Sequence, residues 1–111
     1  MRYARQIAAL FPGEHERLRQ AEVVVGGADL SATIAALYLA GAGVGHLSVA
    51  PGLVAELRSL NSEVEIRAVS ALEEGGARVR VGEAEKSVEP AAPVMGGARL
   101  ARWALARILS A

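Results

Sequence analysis

Apolar positions along the chain change period several times, and each change marks an element. Tyr3, Ile7 and Leu10 recur at helical spacing in RYARQIAAL, predicting a first helix or arm that Pro12-Gly13 ends. Glu14 to Gln20 follows as a short charged helix with Leu18 as almost its only apolar residue. Val23, Val24 and Val25 form a β-branched run, the signature of a strand buried on both faces. Gly26-Gly27 breaks the run, and a helix that Asp29 or Ser31 can cap follows to about Ala40, with Gly41 as its C-cap candidate. HLSVA, His46 to Ala50, reads as a second strand stopped by Pro51-Gly52.

Leu53 to Leu60 predicts a short helix with Leu53, Leu57 and Leu60 on one face. EVEIRAV, Glu63 to Val69, alternates charged and apolar residues, as an exposed or edge strand does; Val64, Ile66 and Ala68 are its core candidates. After the turn Glu73-Glu74-Gly75-Gly76, ARVRV alternates again as a last strand that can join the sheet in either direction. Gly82 to Pro93 is polar and carries two prolines, and reads as a loop or linker. In the final helix, Gly97 to Ser110, Leu100, Ala101, Ala104, Leu105, Ile108 and Leu109 share one broad face. Arg99, Arg102 and Arg107 lie opposite, with Trp103 among them. That Trp either stacks on arginines at the surface or is buried against another chain.

The expected organisation is one domain: a helical arm over 1–20, a βαβ core over 22–81, a loop over 82–96 and a C-terminal helix over 97–110. Strands alternating with helices point to βαβ units and a mostly parallel sheet.

Composition narrows the chemistry. No apolar run approaches the roughly 20 residues that cross a bilayer, and no leader pattern opens the chain, so a cytoplasmic protein is expected, without membrane partners. Zero net charge argues against nucleic acid. With no cysteine there is no thiolate nucleophile and no cysteine zinc site. Lys86 is the only lysine and Asp29 the only aspartate, a bias towards Arg and Glu typical of a GC-rich genome. His15 is expected in solvent and His46 in a structural role, and the glutamates lack metal-ligand spacing.

The stretch most suggestive of chemistry is EVVVGGADLSATIAALYLAGAGVG, Glu22 to Gly45. A strand, a glycine turn and a helix N-terminus make the phosphate-holding corner of dinucleotide-type folds. Asp29 changes that reading. As an ordinary N-cap its carboxylate accepts the N–H groups a phosphate needs. It also repels the phosphate, by about 4 kcal/mol for unit charges ~4 Å apart at an effective dielectric near ~20.

RYARQIAAL, GEHERLRQAEVVVGG and AALYLAGAGVGHLSV, together covering most of Arg2 to Val49, resemble the opening of ThiF/MoeB-type proteins, relatives of ubiquitin-activating enzymes. RSLNSEVEIRAV and VMGGARLARWALARIL are similar to later segments of that family. The resemblance implies a small Rossmann-like, three-layer α/β fold. It also implies ATP- and magnesium-dependent adenylation of a ubiquitin-like sulfur carrier by a dimer. In that family an arginine of the arm enters the neighbouring subunit's nucleotide site; here it is Arg5. Gly26, Gly27, Asp29 and Ala32 fall on the nucleotide-binding turn. Counted from Gly27, the second and third glycines of GxGxxG are Asp29 and Ala32; counted from Gly26, they are Ala28 and Ser31.

The departures continue downstream. Aligned without a gap, the first aspartate of the family's acidic pair becomes Pro51, its asparagine Ser59 and its arginine Ser62; a better account is that this segment is deleted, so that Pro51-Gly52 leads straight towards LNSEVEI. Its zinc and catalytic cysteines have no counterpart.

The chain therefore reads as a truncated, degenerate member without adenylation activity, catalytic residues, metal or cofactor. Its expected role is a self-associating or partner-binding module. The expected partner is a second copy, a full-length homologue or a ubiquitin-like carrier, and Tyr3, Leu37 and Trp103 are interface candidates. Two alternatives stand beside it. One is a nucleotide-binding subunit that uses ATP and magnesium and still contributes to adenylation. The other is a plain self-associating domain.

Overall fold

In the computed structural model the described residues are 13–88 and 93–110; residues 1–12 of the arm, with Tyr3 and Arg5, lie outside them. The chain forms α1 (Glu14–Gln20), β1 (Glu22–Gly26), α2 (Leu30–Ala42), β2 (His46–Val49), α3 (Val54–Leu60), β3 (Glu65–Ala68), β4 (Arg78–Val81), β5 (Ala84–Ser87) and α4 (Pro93–Ser110). Single 3₁₀ turns cover Pro51–Leu53 and Ser70–Glu73. Among the described residues no helix is long and apolar enough to cross a membrane.

The five strands make one mixed sheet in the order β3-β2-β1-β4-β5. β1, β2 and β3 pair in parallel, whereas β4 and β5 are antiparallel. The expectation of a mostly parallel sheet thus holds for its first half only. The reason lies in the connections. A parallel return needs a crossover of about a dozen residues or more, usually helical. α2 and α3 provide such crossovers, but β3 reaches β4 through residues 69–77 with only a 3₁₀ turn. The two-residue turn Gly82-Glu83 then forces a hairpin, with Gly82 at φ 61 in its first position. β5 therefore lies inside the stretch read as a loop. It is an edge strand without a buried residue, so it carries no apolar alternation.

Val23, Val25, Leu47, Val49, Ile66 and Val79 face the helices and are buried. Among the described residues the helices lie on this face alone, giving two layers; the expected third layer has no counterpart there. α2 is apolar nearly all round because it lies between sheet and α4, with Ala32, Ala35, Ala36, Leu39 and Ala40 wholly buried. α4 comes close enough that a Cβ at Gly97 would sit 2.6 Å from both the Ser31 carbonyl oxygen and Ile34 Cβ. This close approach needs glycine inside a helix. α4 accordingly starts at Pro93, earlier than the glycine pair suggested, with proline at a first-turn position where its missing N–H costs nothing.

The C-cap of α2 is Gly43, two residues beyond the expected Gly41, with φ 98 and with Val44 N–H donating to the Leu39 carbonyl. Asn61, from the RSLNSEVEIRAV segment, links elements by donating to the Ala40 carbonyl while accepting Glu63 N–H. Leu53 and Leu57 are buried as expected, but Leu60, at the last turn of α3, is exposed. Val64 and Ile66 join the core, while Ala68, on the edge strand, does not.

Candidate functional site

β1 ends at Gly26, the chain turns at Gly27 with φ 98, and Asp29 caps α2. The strand, turn and helix N-terminus therefore lie as the sequence indicates, and they bring Gly26, Gly27, Asp29 and Ala32 together. Three N–H groups of the corner, those of Gly27, Ala32 and Thr33, are held within the chain. Asp29 Oδ1 accepts Ala32 N–H at 3.0 Å. The Asp29 carbonyl accepts both the backbone N–H and the hydroxyl of Thr33, at 3.1 Å each. Gly27 N–H donates to the Leu72 carbonyl at 2.7 Å.

The Leu72 contact follows from topology. β3 and β4 lie on opposite sides of the β2–β1 pair. Residues 69–77 must therefore cross the carboxyl ends of β2 and β1, where ligands of open α/β sheets bind. Val69 N–H first extends the ladder to the Val49 carbonyl, at 2.9 Å. The crossing strand then lies so close to the turn that a Cβ on Gly27 would sit 3.0 Å from Ala77 Cα. Positive φ and this contact both require glycine, with no reference to a ligand.

Arg78 completes the closure. It pairs with Gly26 across the β1–β4 ladder, and its guanidinium covers the face a Gly26 side chain would need. Its Nη1 donates to the carbonyls of Glu74 (2.9 Å) and Gly76 (3.0 Å), and its Nε lies 3.9 Å from Glu85 Oε1. Leu72 and Arg78 were not legible as site residues. Leu72 acts through its carbonyl, which leaves no side-chain signature, and Arg78 depends on a long-range register.

The remaining candidates lie elsewhere. Leu37 is half-buried against the core from α2. Trp103 is half-buried against the same core, with Arg107 Cζ 5.9 Å from its ring centroid, so within the chain it is stacked on an arginine. His46 Nδ1 lies 3.1 Å from Glu65 Oε2 on the sheet face opposite the helices. His15, expected in solvent, is half-buried in α1. Among the described residues no three His, Cys, Asp or Glu side chains converge as a metal site.

No protein-family model and no curated protein sequence matches the chain.

Proposed function

We propose that the chain is a degenerate, Rossmann-like relative of ThiF/MoeB-type adenylating proteins, acting as a self-associating or partner-binding module without adenylation. The observation that carries this reading is the double occupation of its glycine corner. Asp29 takes the Ala32 donor and the Leu72 carbonyl takes the Gly27 donor, so an incoming phosphate loses these two N–H groups and meets a carboxylate that repels it. The parallel order β3-β2-β1, identical to one half of a doubly wound sheet, supports the Rossmann-like part. The motifs between Arg2 and Val49 support the kinship.

Titration calorimetry with ATP and magnesium tests it. No binding heat up to millimolar nucleotide is expected, and no pyrophosphate exchange in the presence of a ubiquitin-like carrier. A saturating isotherm would replace the reading with that of a nucleotide-binding subunit.

A further inference from the structure

A helix that packs on one side is apolar on that side and polar on the other. α2 is apolar on its outer side as well. Between Asp29 and His46 the sequence carries no Asp, Glu, Lys or Arg. At 100° per residue, Leu30, Ile34 and Leu37 lie opposite the buried stripe of Ala32, Ala36 and Leu39. Leu30 and the flanking Tyr38 keep 51% and 52% of their surface exposed. A contiguous apolar face left in water marks a contact site.

The two flanks of this stripe carry opposite charges. α3 borders α2 on the side of β3, and α4 borders it on the side of β4. α2 and α3 are crossovers between parallel strands, and α4 starts beside Ser31 and ends beside α1, so all three helices run the same way. With Leu57 turned inward, Glu56 falls on the flank of α3 next to α2, and Arg58 on the far one. On α4, Gly96 and Gly97 are buried, and Arg99 and Arg102 fall on the outer side. Asn61, at the end of α3, bonds the Ala40 carbonyl, while Gly97 lies level with Ser31 and Ile34. At ~1.5 Å per residue, Glu56, Arg99 and Arg102 then stand within about one turn of the same height along α2. All three are exposed, and none has an ion-pair partner among the described residues.

We infer, building on the self-association proposed above, that this outer helix face binds the same face of a second copy about a two-fold axis running along α2. Such an axis stacks the two apolar stripes on each other and exchanges the flanks, an isologous contact. Glu56 then faces Arg99 and Arg102 of the second copy, and the same arginines of the first copy face its Glu56. A two-fold axis across the helices instead sets arginine on arginine, which fixes the orientation. Helices of 7, 13 and 18 residues, at ~1.5 Å per residue and ~10 Å wide, present roughly 570 Å² in projection, and the grooves between them add to it. A specific interface takes about 600–1,000 Å² per partner, so this face is large enough for one.

Sedimentation equilibrium of the full chain from micromolar to millimolar concentration tests the interface. The unmodified protein dimerises. Tyr38→Glu weakens the dimer by roughly tenfold or more, because it sets a charge between the stacked stripes. Glu56→Arg weakens it by about as much, since two symmetric attractions become repulsions, and so does Arg99→Glu combined with Arg102→Glu. All four positions are exposed, and unchanged circular dichroism confirms that the variants fold. Mixing the Glu56→Arg protein with the doubly reversed one restores association, since every facing position again meets the opposite charge.

A wild-type dimer that these variants leave intact, or a mixture that fails to recover, overturns this interface while leaving self-association standing. A wild-type monomer throughout the range overturns both. Tyrosine nitration read by mass spectrometry then says why: an unreactive Tyr38 shows that the chain covers the stripe with its own residues, and a reactive one that nothing covers it. Nucleotide calorimetry is independent of all these outcomes.

Discussion

Asp29 Oδ1 accepts the backbone N–H of Ala32 at 3.0 Å, and the only aspartate in the chain thereby serves as the N-cap of its most buried helix. A side-chain cap of this kind contributes about 1 kcal/mol. Asp29→Ala should lower stability by that amount, a fall of roughly 4–8 °C in melting temperature for a domain of this size. It should not create nucleotide binding, because Gly27 N–H stays bonded to the Leu72 carbonyl. Thermal unfolding checks the first outcome, and calorimetry of the same variant with ATP and magnesium checks the second.

The α2–α4 crossing makes a second, paired prediction. A methyl group at Gly97 runs into the Ser31 carbonyl and Ile34 Cβ, both backbone or near-backbone atoms that cannot swing away. Gly97→Ala should therefore cost about 1–3 kcal/mol by overpacking. Gly41, inside α2, has nothing within 4 Å of an added Cβ. Gly41→Ala should gain roughly 0.5–1 kcal/mol from helix propensity. Opposite shifts of the urea midpoint, with unchanged slope, are the expected result.

Trp103 separates a role within the chain from one between chains. Its ring packs against the core of its own subunit and is covered by Arg107. Trp103→Ala should cost roughly 1–3 kcal/mol, less than for a fully buried ring, and Arg107→Ala about 0.5 kcal/mol from the lost cation–π contact. Sedimentation of Trp103→Ala then tells the two roles apart, an unchanged association state placing the ring's role within the chain. Urea unfolding followed by circular dichroism gives the first pair of values.

Legibility in the sequence followed the range of the interactions. The strand from Glu22, the Asp29 cap and the buried stripe of α4 rest on neighbours within a turn or two, and patterning alone reveals them. The sheet's mixed direction depends on the length of the 69–77 connection, which alternation in ARVRV cannot report. β5 shows no apolar signature because an exposed edge strand buries nothing. At the corner, the cap was readable from one residue, whereas closure by Leu72 was not. It joins residues 45 apart in sequence, Gly27 and Leu72, through two backbone atoms common to nearly every residue.

Ser31 gives the last prediction. Its side chain is buried in the α2–α4 crossing, and its hydroxyl has no hydrogen-bond partner among the described residues. A buried polar group without a partner costs about 1–3 kcal/mol of desolvation. Alanine removes the hydroxyl, leaves the backbone and Cβ in place, and has the higher helix propensity. Neighbouring Gly96 and Gly97 keep the helices close, so little void should open. Ser31→Ala should therefore raise the urea midpoint, with a gain of roughly 1 kcal/mol. A lowered midpoint would show that the hydroxyl is engaged in solution, either by a trapped water or by a residue outside the described segments. The crossing would then be held by a hydrogen bond in addition to its glycine contacts.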